Sequence, residues 1–206
     1  MLLVDDHRVV RAGLTALIHL EPDMRVVGEA ADGEEAIRRY EALLPDVVLM
    51  DLKLPGMPGW RVTAAIRSRW PDCRILVFTT LIGDEHVYQA LQAGALGYIL
   101  KDADDTELTN AIRRTAAGQR TIPATVASAL DQRLASDPLT ARELDILRLV
   151  AAGFSNREAG ERLGLTENTV KGYLKSIISK LNAPDRTAAA MIAVQRGLID
   201  VCGNPM

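Results

Sequence analysis

The chain has 206 residues, 48% hydrophobic and 25% charged, a composition that suits soluble protein and is long enough for two packed cores. No apolar run reaches the roughly 18 to 20 residues of a membrane span, and the N-terminus shows no basic and apolar leader, so a cytoplasmic protein with no membrane partner is expected. The net charge of −3 is uneven: residues 139–206 hold nine Lys and Arg against seven Asp and Glu, a net of +2, which leaves −5 for residues 1–138. That contrast permits nucleic-acid binding by the C-terminal part. Cys73 and Cys202 lie far apart and show no metal-ligand spacing, so they read as packing thiols.

In chain order, residues 1–117 alternate short apolar runs with amphipathic stretches. Leu2–Val4, Arg25–Gly28, Val47–Met50, Ile75–Phe78 and Gly97–Leu100 are strand candidates. Helical periodicity lies between them, as in Val10, Leu14, Leu17 and Ile18, and again in Val87, Leu91 and Ala95. Such alternation predicts parallel βαβ units, hence a doubly wound α/β fold with a five-stranded parallel sheet. The first run starts at Met1 and leaves four residues before Asp5, short beside an average strand of about five or six, which points to a start further upstream. Pro123, Ser128, Ser136, Asp137 and Pro138 break the rhythm, so residues 118–137 are read as a linker with some helical content. From residue 138 to 206 only short helices follow, a smaller all-α domain in which Thr140 with Glu143 and Ser155 with Glu158 fit capping boxes.

The strand ends carry matching chemistry. Asp5 and Asp6 follow the first strand, Asp51 the third, Thr79 and Thr80 the fourth and Lys101 the fifth. In an open parallel sheet these groups converge on the crevice beyond the carboxyl ends. Three carboxylates in one pocket repel one another and, unless one is protonated, call for a cation, and a hard oxygen-lined site lacking His or Cys ligands suits Mg²⁺. Lys101 and the Thr79 hydroxyl would then stabilise the oxygens of a phosphorylated Asp51.

In the C-terminal part, residues 155–163 predict one helix, Gly164-Leu165 a turn, and Thr166 the N-cap of a longer helix from Glu167 to about Leu181. On that second helix Val170, Leu174, Ile177, Ile178 and Leu181 form one apolar stripe. Asn168, Gly172, Lys175 and Ser179 lie opposite it, with Lys171 on the flank. Two capped helices around a turn, with local positive charge, favour DNA binding over a merely solvated face.

Residues 2–117 resemble a response-regulator receiver domain, through Leu3-Val4-Asp5-Asp6-His7, Met50-Asp51-Leu52-Lys53-Leu54-Pro55-Gly56, Phe78-Thr79-Thr80 and Gly94-to-Lys101. Residues 139–199 resemble a LuxR-type helix-turn-helix, through Leu139-to-Glu143, Gly153-to-Glu158, Thr169-Val170-Lys171 and Lys180-Leu181. Together they resemble the NarL/FixJ-type response regulators, with a flavodoxin-like receiver over residues 1–117 and the DNA-binding domain over 138–206. The resemblance implies Asp51 as phospho-acceptor, with a sensor histidine kinase as donor. It implies Asp5, Asp6, Asp51 and the Lys53 carbonyl as Mg²⁺ ligands, Thr79, Tyr98 and Lys101 as switch residues, and a homodimer when phosphorylated. It also implies a recognition helix contacting DNA through Asn168, Thr169, Lys171, Gly172 and Lys175, and a pairing role for the last helix, read at Thr187–Arg196. Gly172 departs from the family pattern, and having no side chain to read a base edge it implies either close backbone approach to DNA or weaker sequence selection. Ala159-Gly160 replaces a bulkier pair, which leaves the packing of the two helices open. A phosphatase on a related fold is disfavoured, since it needs a second Asp two residues after the nucleophile where Lys53 stands. A small-molecule-sensing regulator is disfavoured because the phosphoryl-site groups fill the N-terminal domain.

Overall fold

The strand candidates assemble as one sheet in the computed structural model, which describes residues 1–80, 83–135 and 137–199. Ser136 and Cys202 lie outside the described residues. Strands β1 (Leu2–Val4), β2 (Gly28–Ala30), β3 (Val48–Met50), β4 (Ile75–Thr79) and β5 (Gly97–Leu100) are all parallel, in the order β2-β1-β3-β4-β5. Helices α1 (Arg8–Ile18), α2 (Gly33–Leu43), α3 (Gly59–Arg69), α4 (Asp84–Gln92) and α5 (Asp105–Ala116) alternate with them. Because side chains alternate along a strand, each face of the sheet acquires its own core. Leu3, Leu49, Leu76 and Ile99 pack with Leu14 and Ile18 of α1 and Leu108 and Ile112 of α5. Leu2, Val4, Val48, Met50 and Ile75 pack with Ala36 and Tyr40 of α2 and Val62 and Ile66 of α3. Cys73 is buried in that second core, and burial pushes its thiol pKa up, as a packing thiol requires.

Two sequence expectations need correcting. The second strand is Gly28–Ala30, not 25–28. Val27 is half exposed although its N–H donates to the Met1 carbonyl (2.9 Å). β2 is an edge strand, so it tolerates Glu29, whose carboxylate accepts from Arg11 (3.0 Å) and Thr15 (3.2 Å) on α1. Ala95 is buried, as its periodicity suggests, but it lies beyond the end of α4. Gly94 ends the helical stretch with φ +96°, and the Ala95 N–H closes it onto the Ala90 carbonyl (3.0 Å).

After α5 the chain turns at Gly118 and runs beside β5, where Thr121 bridges Gly97 in parallel and its carbonyl accepts from the Tyr98 N–H (2.7 Å). Helix α6 (Ala124–Ala135) follows and occupies most of the stretch between the two pattern types. By Cα proximity the chain divides into two units, Met1–Ile82 with His86–Ser128, and Gly83–Glu85 with Ala129–Met206.

The second unit contains α7 (Ala141–Ala151), α8 (Asn156–Leu163), α9 (Glu167–Lys180) and α10 (Arg186–Gln195) around a core that includes Ile146, Leu147, Val170, Leu174, Ile177 and Ala189. Both capping boxes form, at Thr140 with Glu143 and at Ser155 with Glu158. Asp185 caps α10 and accepts from the Ala188 N–H (2.8 Å). Gly164 closes α8 in the left-handed region, φ +65°. The Ala159-Gly160 pair, whose small size left the packing of the two helices open in sequence, is buried in α8. A Cβ on Gly160 would stand 2.6 Å from the Leu165 carbonyl oxygen, so glycine is what lets α8 lie against the turn into α9.

Candidate functional site

The strand order reverses at β1, which has β2 on one side and β3 on the other, and opens a crevice at the carboxyl ends of β1 and β3. Backbone pairing fixes what enters it. The Asp5 N–H donates to the Ala30 carbonyl (3.1 Å), the Asp51 N–H to Val4 (2.8 Å) and the Lys101 N–H to Thr79 (3.0 Å). Each of the three residues therefore stands one position past its strand with its side chain committed to the same pocket.

Asp5 and Asp51 are 2% and 4% exposed, too buried to carry charge without compensation. Lys101 supplies it: Nζ lies 2.6 Å from Asp5 Oδ2 and 2.6 Å from Asp51 Oδ2. Burial opposes the lysine's charge, but the hydrogen bonds to both carboxylates outweigh it and its pKa stands above the usual value. Asp6 is more open and faces His7, whose Nδ1 is 2.7 Å from Asp6 Oδ1 and 3.3 Å from Asp5 Oδ1. Ligand atoms from Asp5, Asp6, His7 and Asp51 all lie within 4.8 Å of one another. The expectation of a site lacking His ligands is corrected here: His7, directly after Asp5-Asp6, brings its Nδ1 into the cluster. A set dominated by carboxylate oxygen fits a hard divalent cation.

The other metal-ligand candidate, Lys53, and the switch candidates Thr79 and Tyr98 lie in the loop after β3 and in strands β4 and β5. The Lys53 N–H donates to Asp51 Oδ1 (3.2 Å), and the Gly59 N–H donates to the Leu52 carbonyl (2.9 Å), folding the loop after β3 back on itself. A Cβ on Gly59 would stand 2.0 Å from the Asp51 carbonyl oxygen, so the start of α3 can support Asp51 this closely only as glycine. Thr79 is fully buried as the last residue of β4 rather than beyond it. Tyr98 is fully buried in β5, and its phenol is held protonated to well above the usual pH, first by burial and then by the negative charge of Asp51.

The other candidates lie on α9. Thr166 caps it, accepting from the Thr169 N–H (3.1 Å), while the two threonine hydroxyls share a hydrogen bond (2.8 Å). Val170, Leu174 and Ile177 are buried, and Asn168, Thr169, Lys171, Gly172, Lys175 and Ser179 are exposed. Lys171 pairs with Glu167 one turn earlier (2.8 Å). What sequence reading missed is how α9 is held. Glu143, the capping-box residue of α7, is almost fully buried and also accepts from Ser176 (2.7 Å) and Lys180 (2.7 Å) of α9. Burial opposes its charge, yet Lys180, Thr140 and Ser176 together bring its pKa down to about 2. The partners are more than thirty residues away, so only the local capping pattern was visible in sequence.

Comparison with known proteins agrees with both regions. Residues 1–113 match the family model of the response regulator receiver domain, and residues 137–193 that of the bacterial regulatory proteins of the luxR family. The chain is 42% identical to the transcriptional regulatory protein LiaR of Bacillus subtilis (strain 168), covering 97% of this chain and 99% of that one. It is 38% identical to the response regulator protein VraR of Staphylococcus aureus, covering 97% and 98%. Among solved structures, the response regulator ChrA of a heme-sensing two-component system aligns at 40% identity and TM-score 0.58, covering 96% of this chain and 97% of that one. RcsB from Salmonella enterica serovar Typhimurium, bound to promoter P1flhDC in the presence of phosphomimetic BeF3-, aligns at 25% identity and TM-score 0.72, covering 94% and 97%.

Proposed function

The chain belongs to the DNA-binding response regulators of two-component systems, with a receiver domain and a LuxR-type helix-turn-helix, and from that membership we propose that Asp51 is its phospho-acceptor. A carboxylate oxygen of Asp51 attacks phosphorus, the phosphohistidine N–P bond of a sensor histidine kinase breaks, and an acyl phosphate forms. The observation that carries this reading is the Lys101 ammonium bridging Asp5 and Asp51 in the crevice at 2.6 Å each. A cation already poised between the nucleophile and its neighbour needs only to shift to meet phosphoryl oxygens. Thr79 provides a hydroxyl, and Tyr98 the buried aromatic that follows it. Asp5, Asp6, Asp51 and the Lys53 carbonyl would hold Mg²⁺, which when bound offsets the charge of the three carboxylates and of the incoming phosphoryl group. The same groups let the receiver assist its own phosphoryl transfer and dephosphorylation.

The boundaries that serve this reading are a receiver at residues 1–117, a linker at 118–137 and a DNA-binding domain from 138. The output is DNA binding through α9, by Asn168, Thr169, Lys171, Gly172 and Lys175, as a homodimer in the cytoplasm. Hydrogen bonds from Thr79 and Lys101 to a charged group are worth roughly 1.5 to 3 kcal/mol each. Driving a two-state equilibrium from 1:99 to 99:1 takes about 5.5 kcal/mol, so phosphorylation shifts a population rather than throwing an absolute switch. The test is incubation with Mg²⁺ and a small phosphodonor, followed by intact mass and solution size. A stable acyl phosphate with a larger particle supports the reading, and rapid turnover of the phosphodonor without accumulation overturns it in favour of a phosphatase.

A further inference from the structure

A glycine inside a helix lowers its stability, so one without a packing reason invites a functional one where it lies on a candidate binding face. Among the described residues Gly13 and Gly172 alone have neither a positive φ nor any atom within 4 Å of an added Cβ. Gly172 is the sixth of the 14 residues of α9 and lies away from both caps. Nothing in the fold of this chain therefore requires glycine there. It occupies the middle of the exposed strip, one turn after Asn168 and one turn before Lys175, with Val170 and Leu174 buried on the opposite side.

Polar side chains flank a position with none, which makes a notch in the exposed face of α9. Resting on the reading of α9 as the DNA-contacting helix, we propose that Gly172 is a specificity-determining residue that works by absence. A base-pair edge in the major groove seats directly against the main chain of α9 at this notch, closer than any Cβ would allow, while Asn168 and Lys175 reach past it on either side. Contact of that kind selects by shape and apolar fit and not by charge, so it adds discrimination without adding a phosphate contact.

The experiment uses the full chain, incubated with Mg²⁺ and a small phosphodonor, to enrich binders from a pool of duplexes with a randomised centre. Affinity for the enriched duplexes is then measured at several salt concentrations for the wild type, Gly172→Ala and Lys175→Ala, with thermal melting of each. Gly172→Ala is expected to bind at least about tenfold more weakly with an unchanged salt slope, and to melt at the same temperature or higher because alanine favours the helix. Binding within twofold of the wild type overturns the proposal, as does a loss of affinity accompanied by a lower melting temperature. If Lys175→Ala weakens binding and Gly172→Ala does not, the DNA-binding reading stands and this inference alone fails. If the wild type enriches no duplex, that reading fails and this inference goes with it.

Discussion

Gly59 and Gly172 lie one in each functional region, and the space around them differs completely. At Gly59 an added Cβ would stand 2.0 Å from the carbonyl oxygen of Asp51, and at Gly172 it would meet nothing within 4 Å. The Asp51 pocket is assembled by the fold itself: the carboxylates of Asp5 and Asp51 are buried, its lysine is already paired and its loop is closed by main-chain hydrogen bonds. The α9 face is the reverse, a strip of exposed polar side chains above a buried apolar stripe. One region completes its interactions inside the chain, and the other leaves its polar groups open to solvent. Substitutions in the first should therefore disturb chemistry and stability together, and those in the second should change binding alone.

The largest effect expected is from Asp51→Asn, which keeps the shape but removes the nucleophile; phosphoryl uptake, read by intact mass, should be lost entirely. Uptake at the wild-type rate would assign the acceptor elsewhere. Gly59→Ala should follow. Its Cβ faces backbone, which cannot rotate away, so a loss of about 3 kcal/mol or more is expected by denaturant unfolding, with slowed phosphoryl uptake as α3 pushes on Asp51. Unchanged stability in that variant would mean that α3 is free to shift, and the pocket would be less rigidly assembled than the comparison holds.

Glu143 sharpens the contrast, because it makes the DNA-binding unit depend on one buried carboxylate. Its pKa stands at about 2 against a reference of 4.5, held down by Lys180, Thr140 and Ser176 against burial. The stability this adds is complete above about pH 4.5 and is lost as the pH falls towards 2. Its size is on the order of 3 kcal/mol, from about 1.4 kcal/mol per unit of pKa. Glu143→Gln should thus be markedly less stable than the wild type at pH 7, and the gap should narrow below about pH 4.5 and close only as the pH approaches 2. A gap that stays constant with pH would show that packing, not charge, ties α7 to α9.

Much of both regions was legible in sequence, for a physical reason in each case. Strand ends announce themselves because an apolar run stops at a polar residue, and Asp5, Asp51 and Lys101 did so. N-caps are local, so Thr140, Ser155 and Thr166 could be read three residues at a time. β2 was misplaced because an edge strand need not be apolar, and Glu29 is held by partners on α1 that sequence does not show beside it. The pairing of Thr121 with Gly97 left no trace, since one parallel bridge needs no run of apolar residues. The packing role of Gly160 was not legible because the neighbour that demands it is a backbone oxygen, which every sequence has.

The smallest effects expected are at the two lysines of α9, and they separate from each other. Each is exposed, so neither Lys171→Ala nor Lys175→Ala should move stability by more than about 0.5 kcal/mol. Lys171 already pairs with Glu167 at 2.8 Å, and to meet a phosphate it must give up that contact. An exposed pair one helical turn apart is worth only about 0.3 to 0.5 kcal/mol, so the competition is mild but measurable. Lys175 has no ion pair among the described residues and surrenders nothing. Lys175→Ala should therefore cost more affinity than Lys171→Ala, and whichever lysine contacts only phosphate should lower the salt slope by about 1 when removed. Glu167→Ala supplies the internal check: freeing Lys171 should raise affinity slightly, and removing both residues should abolish that gain. Equal losses at the two lysines, with no response to Glu167→Ala, would show that the pair with Glu167 has no bearing on binding.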